Sequence, residues 1–294
     1  MVLVKAVAVL SAILVLLGFG GRIHPIGDSC AVFRVELTIL CALTVIWTNW
    51  PRAVRWPLVG MCLAVLTVHV VRGVQTGGSG EDFTLYQQNL LFDRTDGGAG
   101  AIETLGRLQP DFITFQEVSD INRPILDLLL PDYPSQQFCP LGDFLGEAVL
   151  SRFPAVPDSG FCSARDGLAG LQLETPHGPV WLVSVHLNWP WPKGQAAQIA
   201  QLIPDLKRLQ GHVVLAGDFN SVAWSHAVSQ IADASGTQRI GPYQGSFHLP
   251  KVALPIGIDH VLTSPAYAQT VWSLGKNGSD HNGLWAKLTR SKHD

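Results

Sequence analysis

Three apolar runs crowd the first 72 residues: Val7 to Gly20, Val35 to Trp47 and Trp56 to Val71. With their flanks, each approaches the ~17–25 residues that cross about 30 Å of hydrocarbon. The first is short unless Val2 to Ala6 join it. The second carries Arg34 and Glu36 at its entrance, where they can pair or reach the headgroups. Trp47, Trp50 and Trp56 bracket the link TNWPRAVR as an interfacial aromatic belt would. That link is too short for a domain. The expectation is three transmembrane helices, at about residues 3–20, 33–50 and 55–72, with the last two forming a hairpin. A cleaved signal peptide is the alternative for the first run, but no clear small-x-small cleavage site follows it.

The remainder reads differently. Residues 1–80 hold six Lys/Arg and two Asp/Glu, a balance of +4; subtraction from 20 and 23 leaves 14 and 21, a balance of −7, for 81–294. Gly73 to Asp82 is small and polar and reads as a linker (residues 73–82), followed by one polar domain over residues 83–294. In that domain FTLYQQNL, DFITFQEV, EAVLSRF, GLQLETP, VWLVSVHL, HVVLAGDF, DHVLTS and LWAKLT read as strands, with PHG as a hairpin turn. AGAIETLGRLQ, INRPILDLLLPDY and Gln195 to Gln210 read as helices. Many strands with a few helices imply a layered α/β domain. Five cysteines in 294 residues exclude a disulfide-dense scaffold. Cys139 and Cys162 lie in the polar domain, either bridged in an oxidising compartment or as separate core thiols.

Acid, imidazole and amide side chains fall at strand ends: Asn89, Glu117, His186, Asp218 with Asn220, and Asp280 with His281, while Asp259 and His260 open another strand. Each alone is weak. Asn after a strand is usually a turn former, and His186 in VSVHL could be a hydrogen-bonded core residue. LAGDFNS is more specific: a buried strand that delivers Asp218 and Asn220, two residues apart, points both to one face. Glu117 closes an apolar run, where an unpaired carboxylate is costly to bury. Carboxylate and amide oxygens suit Mg²⁺ or Mn²⁺, and the absence of Cys from these clusters argues against structural zinc.

The segments YQQNL, PDFITFQEV, GEAVLSRFP, VSVHL, VLAGDFNS, GIDHVLTS and SDHNGLWAKL, in this order, resemble the endonuclease/exonuclease/phosphatase (DNase I-like) superfamily over about Asp82 to Lys287. The resemblance implies a four-layered αββα sandwich with a site at one rim of two sheets. It implies Glu117 as the metal carboxylate, with Asn89 beside it and Asp280 of the closing SDH motif as the further metal ligands. His186 and Asn220 would contact the phosphate, Asp218 would align or deprotonate water, and Asp259 would orient His281. Glu147 could pair with His186, as an equivalent acid does in some relatives. The chain departs from the pattern of many bacterial relatives at Gln195-Ala-Ala-Gln198, where Arg-x-x-Gln is common, and at Ser246-Phe247-His248, where Thr-Trp-Pro is common. Trp189 and Trp191 in NWPWPKGQ, with His248, are candidate substrate contacts; a rigid loop packed on its own domain, and an exposed His248, are the bland readings. His260 should face away from the site and pack.

The implied function is a membrane-anchored, divalent-metal-dependent phosphoester hydrolase acting on a nucleic acid or a phospholipid headgroup. A catalytically inactive binding protein on the same fold would have lost a core position, and none is lost. A transport unit has little support, because the spans lack a buried charged pair in mid-membrane. The acidic domain weighs against a tight nucleic-acid binder. Localisation is expected in the cell (inner) membrane, multi-pass. Lys5, Arg52 and Arg55 favour an extracytoplasmic domain, opposed by Arg22 and Arg34.

Overall fold

The structure is a computed structural model that describes residues 1–74, 81–141, 145–163, 167–239, 241–248 and 255–290. Most of the expected linker therefore lies outside the described residues.

The chain begins with four helices: α1 (Val2–Leu17), α2 (Ile26–Val32), α3 (Arg34–Ile46) and α4 (Arg52–Gly73). Helices α1, α3 and α4 run antiparallel side by side. Cys41 lies against the Ala8 carbonyl, Arg34 donates to the Gly18 carbonyl, and Arg55 Nη1 donates to the Thr48 carbonyl at 3.4 Å. Their patterning is inverted. Small or modest side chains face inward (Ala8, Ser11, Cys41, Val45, Cys62), while Leu10, Ile13, Leu40, Leu43 and Leu63 are exposed.

Three independent spans are not what the helices show. Among the described residues, only α4, with 22 residues, is long and apolar enough to cross a bilayer alone. Helix α1 has 16 residues, and α2 with α3 pass only as a pair bent by 70°. At 1.5 Å per residue, a helix of 13–16 residues spans only about 20–24 Å. Helix α2 is new relative to the sequence reading.

Two sheets follow. The first has the order β10-β11-β1-β2-β4-β3, built from β1 (Phe83–Asn89), β2 (Phe112–Gln116), β3 (Ser135–Leu141), β4 (Leu145–Ser151), β10 (Tyr267–Ser273) and β11 (Leu284–Arg290). The second has the order β5-β6-β7-β8-β9, from β5 (Phe161–Cys162), β6 (Leu168–Thr175), β7 (Gly178–His186), β8 (His212–Asp218) and β9 (Asp259–Thr263). Helices α5 (Ala99–Leu108) and α6 (Pro124–Leu129) cover the first sheet; α7 (Gln195–Lys207) and α8 (His226–Ser235) cover the second.

Three cores separate the layers. Phe83, Leu85, Phe112, Val149, Leu182, Val214 and Leu284 meet between the sheets. Tyr86, Ile113, Phe115 and Leu150 face α5 and α6, whereas Val183, Val185, Val213 and Leu215 face α7 and α8. Strand periodicity of two assigns alternate residues to alternate layers. The expected αββα sandwich is the observed one.

Cys139 on β3 and Cys162 on β5 form a disulfide that staples one edge of each sheet. It closes a loop with a sequence separation of 23, which restricts the unfolded chain. The sequence reading missed the edge strands β3 and β10, which alternate weakly, and helix α8.

Candidate active site

The inter-sheet face changes character along each strand. On β1 it reads Phe83, Leu85, then Gln87 and Asn89; on β7 Val180, Leu182, then Ser184 and His186; on β8 Val214, Ala216, then Asp218. β4 and β9 run the other way and so begin with Glu147 and Asp259 before Val149 and Val261. Apolar side chains glue the sheets at one end, and polar ones gather at the other. Register completes the alignment: His186 pairs with Asp218, Asp218 with Asp259, and Asn89 with Gln116. Gly217 is what lets β7 and β8 approach, because a Cβ there would collide with the Val185 carbonyl.

Asp218 is the meeting point. Its Oδ1 accepts from the Asn220 backbone at 2.8 Å, and its Oδ2 accepts from Asn89 Nδ2 at 3.1 Å. The Nε2 atoms of His281 and His186 lie 3.7 and 3.8 Å from the same Oδ2. The other nitrogen of each ring faces a second carboxylate: His281 Nδ1 is 2.8 Å from Asp259, and His186 Nδ1 is 3.4 Å from Glu147. Two carboxylate–imidazole pairs thus flank one buried aspartate.

Glu117 adjoins this centre. Its Oε1 accepts from Asn89 Nδ2 at 3.0 Å and lies 3.8 Å from His186 Nε2, while Oε2 accepts from the Phe92 N–H at 3.0 Å. Asn89 therefore bridges Glu117 and Asp218, and its own oxygen is taken by the Leu91 N–H at 3.0 Å. Glu117 and Asn220 have left-handed backbones, φ 56° and 46°. Such conformations in non-glycine residues cost energy and gather at functional sites. Asn220 Nδ2 donates to the Leu187 carbonyl at 2.7 Å, tying the β7 and β8 exits together.

Charge follows from this packing. Burial presses His281 down, but the charges of Asp259 and Asp218 and the Asp259 hydrogen bond outweigh it, with Asp280 adding, and lift it to about 10. Burial likewise opposes His186, yet its contact with Glu147 and the Asp218 and Glu117 charges raise it to about 9. Burial raises Asp218, which His281 and His186 partly offset, leaving it at about 6. Burial also opposes ionisation of Asp259, but the His281 charge and the hydrogen bonds from His281, Ser246 and Gln87 hold it below the usual range. An aspartate that takes up a proton near neutrality beside two imidazolium donors suits general-base chemistry on an anionic centre.

Supporting residues escaped the sequence reading. Gln87 Nε2 donates to Asp259 Oδ1 and Gln116 Oε1, both at 2.8 Å, and Gln116 Nε2 donates to Ser184 at 2.8 Å. Their signal was present as glutamines within otherwise apolar strands. Glu147, only 1% exposed, is firmly part of the site. Gln195, at the position where arginine is common in many bacterial relatives, braces two loops: Nε2 donates to the Asn188 carbonyl at 2.6 Å and the Phe219 carbonyl at 3.0 Å. Gln198 Nε2 donates to the His186 carbonyl at 3.0 Å. Beside His186 a cleft of about 390 Å³ is lined by Leu141, Asn188, Gln198 and Gln201.

The remaining expected residues are Asp280, Trp189, Trp191 and His248. Asp280 is half-buried next to His281. Trp189 packs on Phe247 with ring centroids 5.7 Å apart, and Trp191 touches the N-terminal helices, its carbonyl accepting from Ser29 Oγ at 2.6 Å. The loop is therefore docked on α2 rather than projecting freely. His248 is half-buried one residue past Phe247. His260 packs away from the site, as expected, with Nε2 2.8 Å from the Ser221 carbonyl.

The sequence model of the Endonuclease/Exonuclease/phosphatase family matches residues 86–281, which takes in Asn89 through His281. The chain belongs to this family. Members of the endonuclease/exonuclease/phosphatase family are phosphoester hydrolases, and so is this chain. No curated protein matches it in sequence. Among solved structures, humanized TDP2 from D. rerio aligns with a TM-score of 0.57 at 15% identity, over 70% of this chain and 98% of that one. Sphingomyelinase C from Streptomyces griseocarneus aligns with a TM-score of 0.52 at 17% identity, over 70% and 98%. A mutant beta toxin from Staphylococcus aureus, with bound magnesium ions, aligns with a TM-score of 0.56 at 12% identity, over 70% and 99%. These likenesses establish the shared fold. The alignments take in nearly the whole of each of those chains, and α1–α4 precede the family match.

Proposed function

We propose that this protein is a membrane-anchored, divalent-metal-dependent phosphoester hydrolase that attacks phosphorus with water in line with the leaving group. The carrying observation is Asp218 Oδ2, approached by Asn89, His186 and His281 together. A water attacking phosphorus gives its proton to Asp218 as the new P–O bond forms and the ester P–O bond breaks. His186 and His281, held protonated by their carboxylates, donate to the non-bridging oxygens as charge grows there. Asn220 has a second amide hydrogen to offer the same oxygens. Asp259 and Glu147 fix the two rings.

The donor chemistry fits a hard cation. Four carboxylates, Glu117, Glu147, Asp218 and Asp259, face two imidazoles, His186 and His281, so the pocket is negative before an anionic substrate enters. Glu117 would hold Mg²⁺ or Mn²⁺, with Asp280 as the further expected ligand and Asn89 steering the Glu117 carboxylate. A bound cation supplies charge neutralisation at the phosphoryl oxygens. Asp218, Asp259 and His281 offer ligand atoms within 4.8 Å of one another, but Asp259 and His281 already satisfy each other, so they are assigned to proton and ring positioning.

Inverted patterning supports anchoring: large apolar side chains face outward on α1, α3 and α4, with small residues at the helix contacts, as in lipid. The Cys139–Cys162 bridge supports an extracytoplasmic domain. The solved neighbours include a sphingomyelinase and a phosphatase bound to product DNA, so both lipid and nucleic-acid phosphoesters remain within the reading. The test is hydrolysis of bis-p-nitrophenyl phosphate by the full chain. EDTA should abolish turnover and Mg²⁺ or Mn²⁺ restore it. Turnover that survives chelation, or survives Asp218→Ala, sinks the scheme.

A further inference from the structure

The helices and the catalytic rim share a groove. It has a volume of about 400 Å³ and is lined by Val32 and Phe33 on one side and Trp189, Trp191, Pro192 and Ile256 on the other. Cavities of that size accept apolar ligands.

Its two walls are bolted together. The Asp28 carboxylate accepts from the His226 N–H at 2.7 Å and the Ala227 N–H at 3.2 Å, at the start of α8. Trp224 Nε1 donates to the Ala31 carbonyl at 2.9 Å, and Ser29 Oγ donates to the Trp191 carbonyl. The groove is therefore built by the docking of α2 on the family domain.

It also connects two places. At one end, Val32, Phe247, Ile256 and Ile258 form one buried cluster. The Phe247 ring lies 5.7 Å from Trp189 and 4.8 Å from His281, so an apolar wall runs unbroken from groove to catalytic imidazole. At the other end, Phe33 stands at the α2–α3 break, 43% exposed, where the outward apolar surface of α3 (Ile39, Leu40, Leu43) begins. Among the described residues of the lining, Lys193 is the only basic one. Nucleic-acid strands need a train of cations along their phosphates, with aromatic rings between them, and the described residues of the lining do not supply one.

We propose that this groove holds an acyl chain of a lipid from the same bilayer, so that the substrate class is a membrane lipid phosphodiester presented to Asp218. This rests on the hydrolase reading above and adds the source of the phosphodiester. A chain in the groove would leave its headgroup phosphate against the His281 side of the site. The α2 contacts make the anchor part of substrate binding.

The test uses the full chain in nanodiscs of phosphatidylcholine and phosphatidylglycerol. Three readings are taken: turnover of bis-p-nitrophenyl phosphate, turnover of the nanodisc lipids, and turnover of DNA and RNA oligonucleotides. Phosphatidylcholine with a diazirine-bearing acyl chain is photocrosslinked and its site mapped by mass spectrometry. Labelling at Val32–Phe33 or at Trp189–Lys193 is expected, together with lipid turnover. Phe33→Glu and Trp191→Ala should each lower the ratio of lipid to soluble-diester turnover at least tenfold. An unchanged ratio in both variants, labelling elsewhere only, or oligonucleotides cleaved in preference to lipid overturns the proposal while leaving the hydrolase intact. A wild-type enzyme inert on bis-p-nitrophenyl phosphate and every other phosphodiester defeats the hydrolase reading itself.

Discussion

The two sides of the catalytic centre are built unequally. On one side His281 and Asp259 sit 2.8 Å apart, both buried, and Asp259 is further fixed by Gln87 and by Ser246, whose hydroxyl also accepts from the Asp259 N–H. On the other, His186 and Glu147 are 3.4 Å apart, the His186 side chain is 15% exposed, and Glu147 Oε1 has no hydrogen-bond partner among the described residues. The first pair joins β9 to the loop before β11; the second spans the gap between β4 and β7 in opposite sheets. A preorganised donor needs no rearrangement as charge develops. Under the proposed mechanism the His281 side is such a donor, whereas the more loosely held His186 side is less preorganised.

The largest effect should come from the residue that serves both sides. Asp218→Asn is expected to lower kcat on bis-p-nitrophenyl phosphate by about 10³-fold, within the range for loss of a general base. A drop below tenfold would make Asp218 a bystander. The next substitutions separate the sides. Asp259→Asn should cost about 10²-fold, because it frees the His281 ring and withdraws its partner charge; Glu147→Gln should cost about tenfold. Equal losses would erase the asymmetry.

His260 sharpens the comparison as an imidazole with no carboxylate against its ring. Burial and the neighbouring Arg239 charge hold it down to about 3, against the Ser221 carbonyl and the more distant Asp259 charge. The folded state then binds the proton less readily than the unfolded chain. Stability from this residue is whole above the ordinary imidazole range near 6.5 and is lost as pH falls towards 3, by about 1.4 kcal/mol per pH unit. Urea midpoints of His260→Gln should fall less steeply than wild type between pH 7 and 5; parallel curves would show that His260 is not held neutral. The smallest effect concerns the N-terminal helices. Asp28→Ala removes a cap supplied to α8 from outside the family domain and should cost about 1 kcal/mol. Faster hydrogen exchange at the His226 and Ala227 amides, with the His281–His186 asymmetry intact, is the expected result; unchanged exchange would mean that α2 does not brace the domain.

Much of this was legible in the chain. Asp218 and Asn220 share a segment whose polarity breaks an apolar strand, and SDH and IDH supply the His281 and Asp259 pair. His260 was correctly turned away by strand alternation alone. The helices were less legible, because run length in sequence does not reveal a break. Gly18 and Phe33 end α1 and α2, leaving, among the described residues, one helix of spanning length by itself. Glu147 was underweighted because its partner lies 39 positions away, on the other sheet.

The order of strands, the face each residue takes and the acid, amide and imidazole types at their ends are local properties, fixed by a period of two and by which positions water will not tolerate as apolar. The amino-acid sequence determines them unaided. That Glu147 meets His186, that Asn89 spans two carboxylates, and that α2 closes a groove onto Trp191 depend on how two sheets stack and where a helix docks. Those are many-body packing outcomes between residues far apart in the chain, and no periodicity along it encodes them.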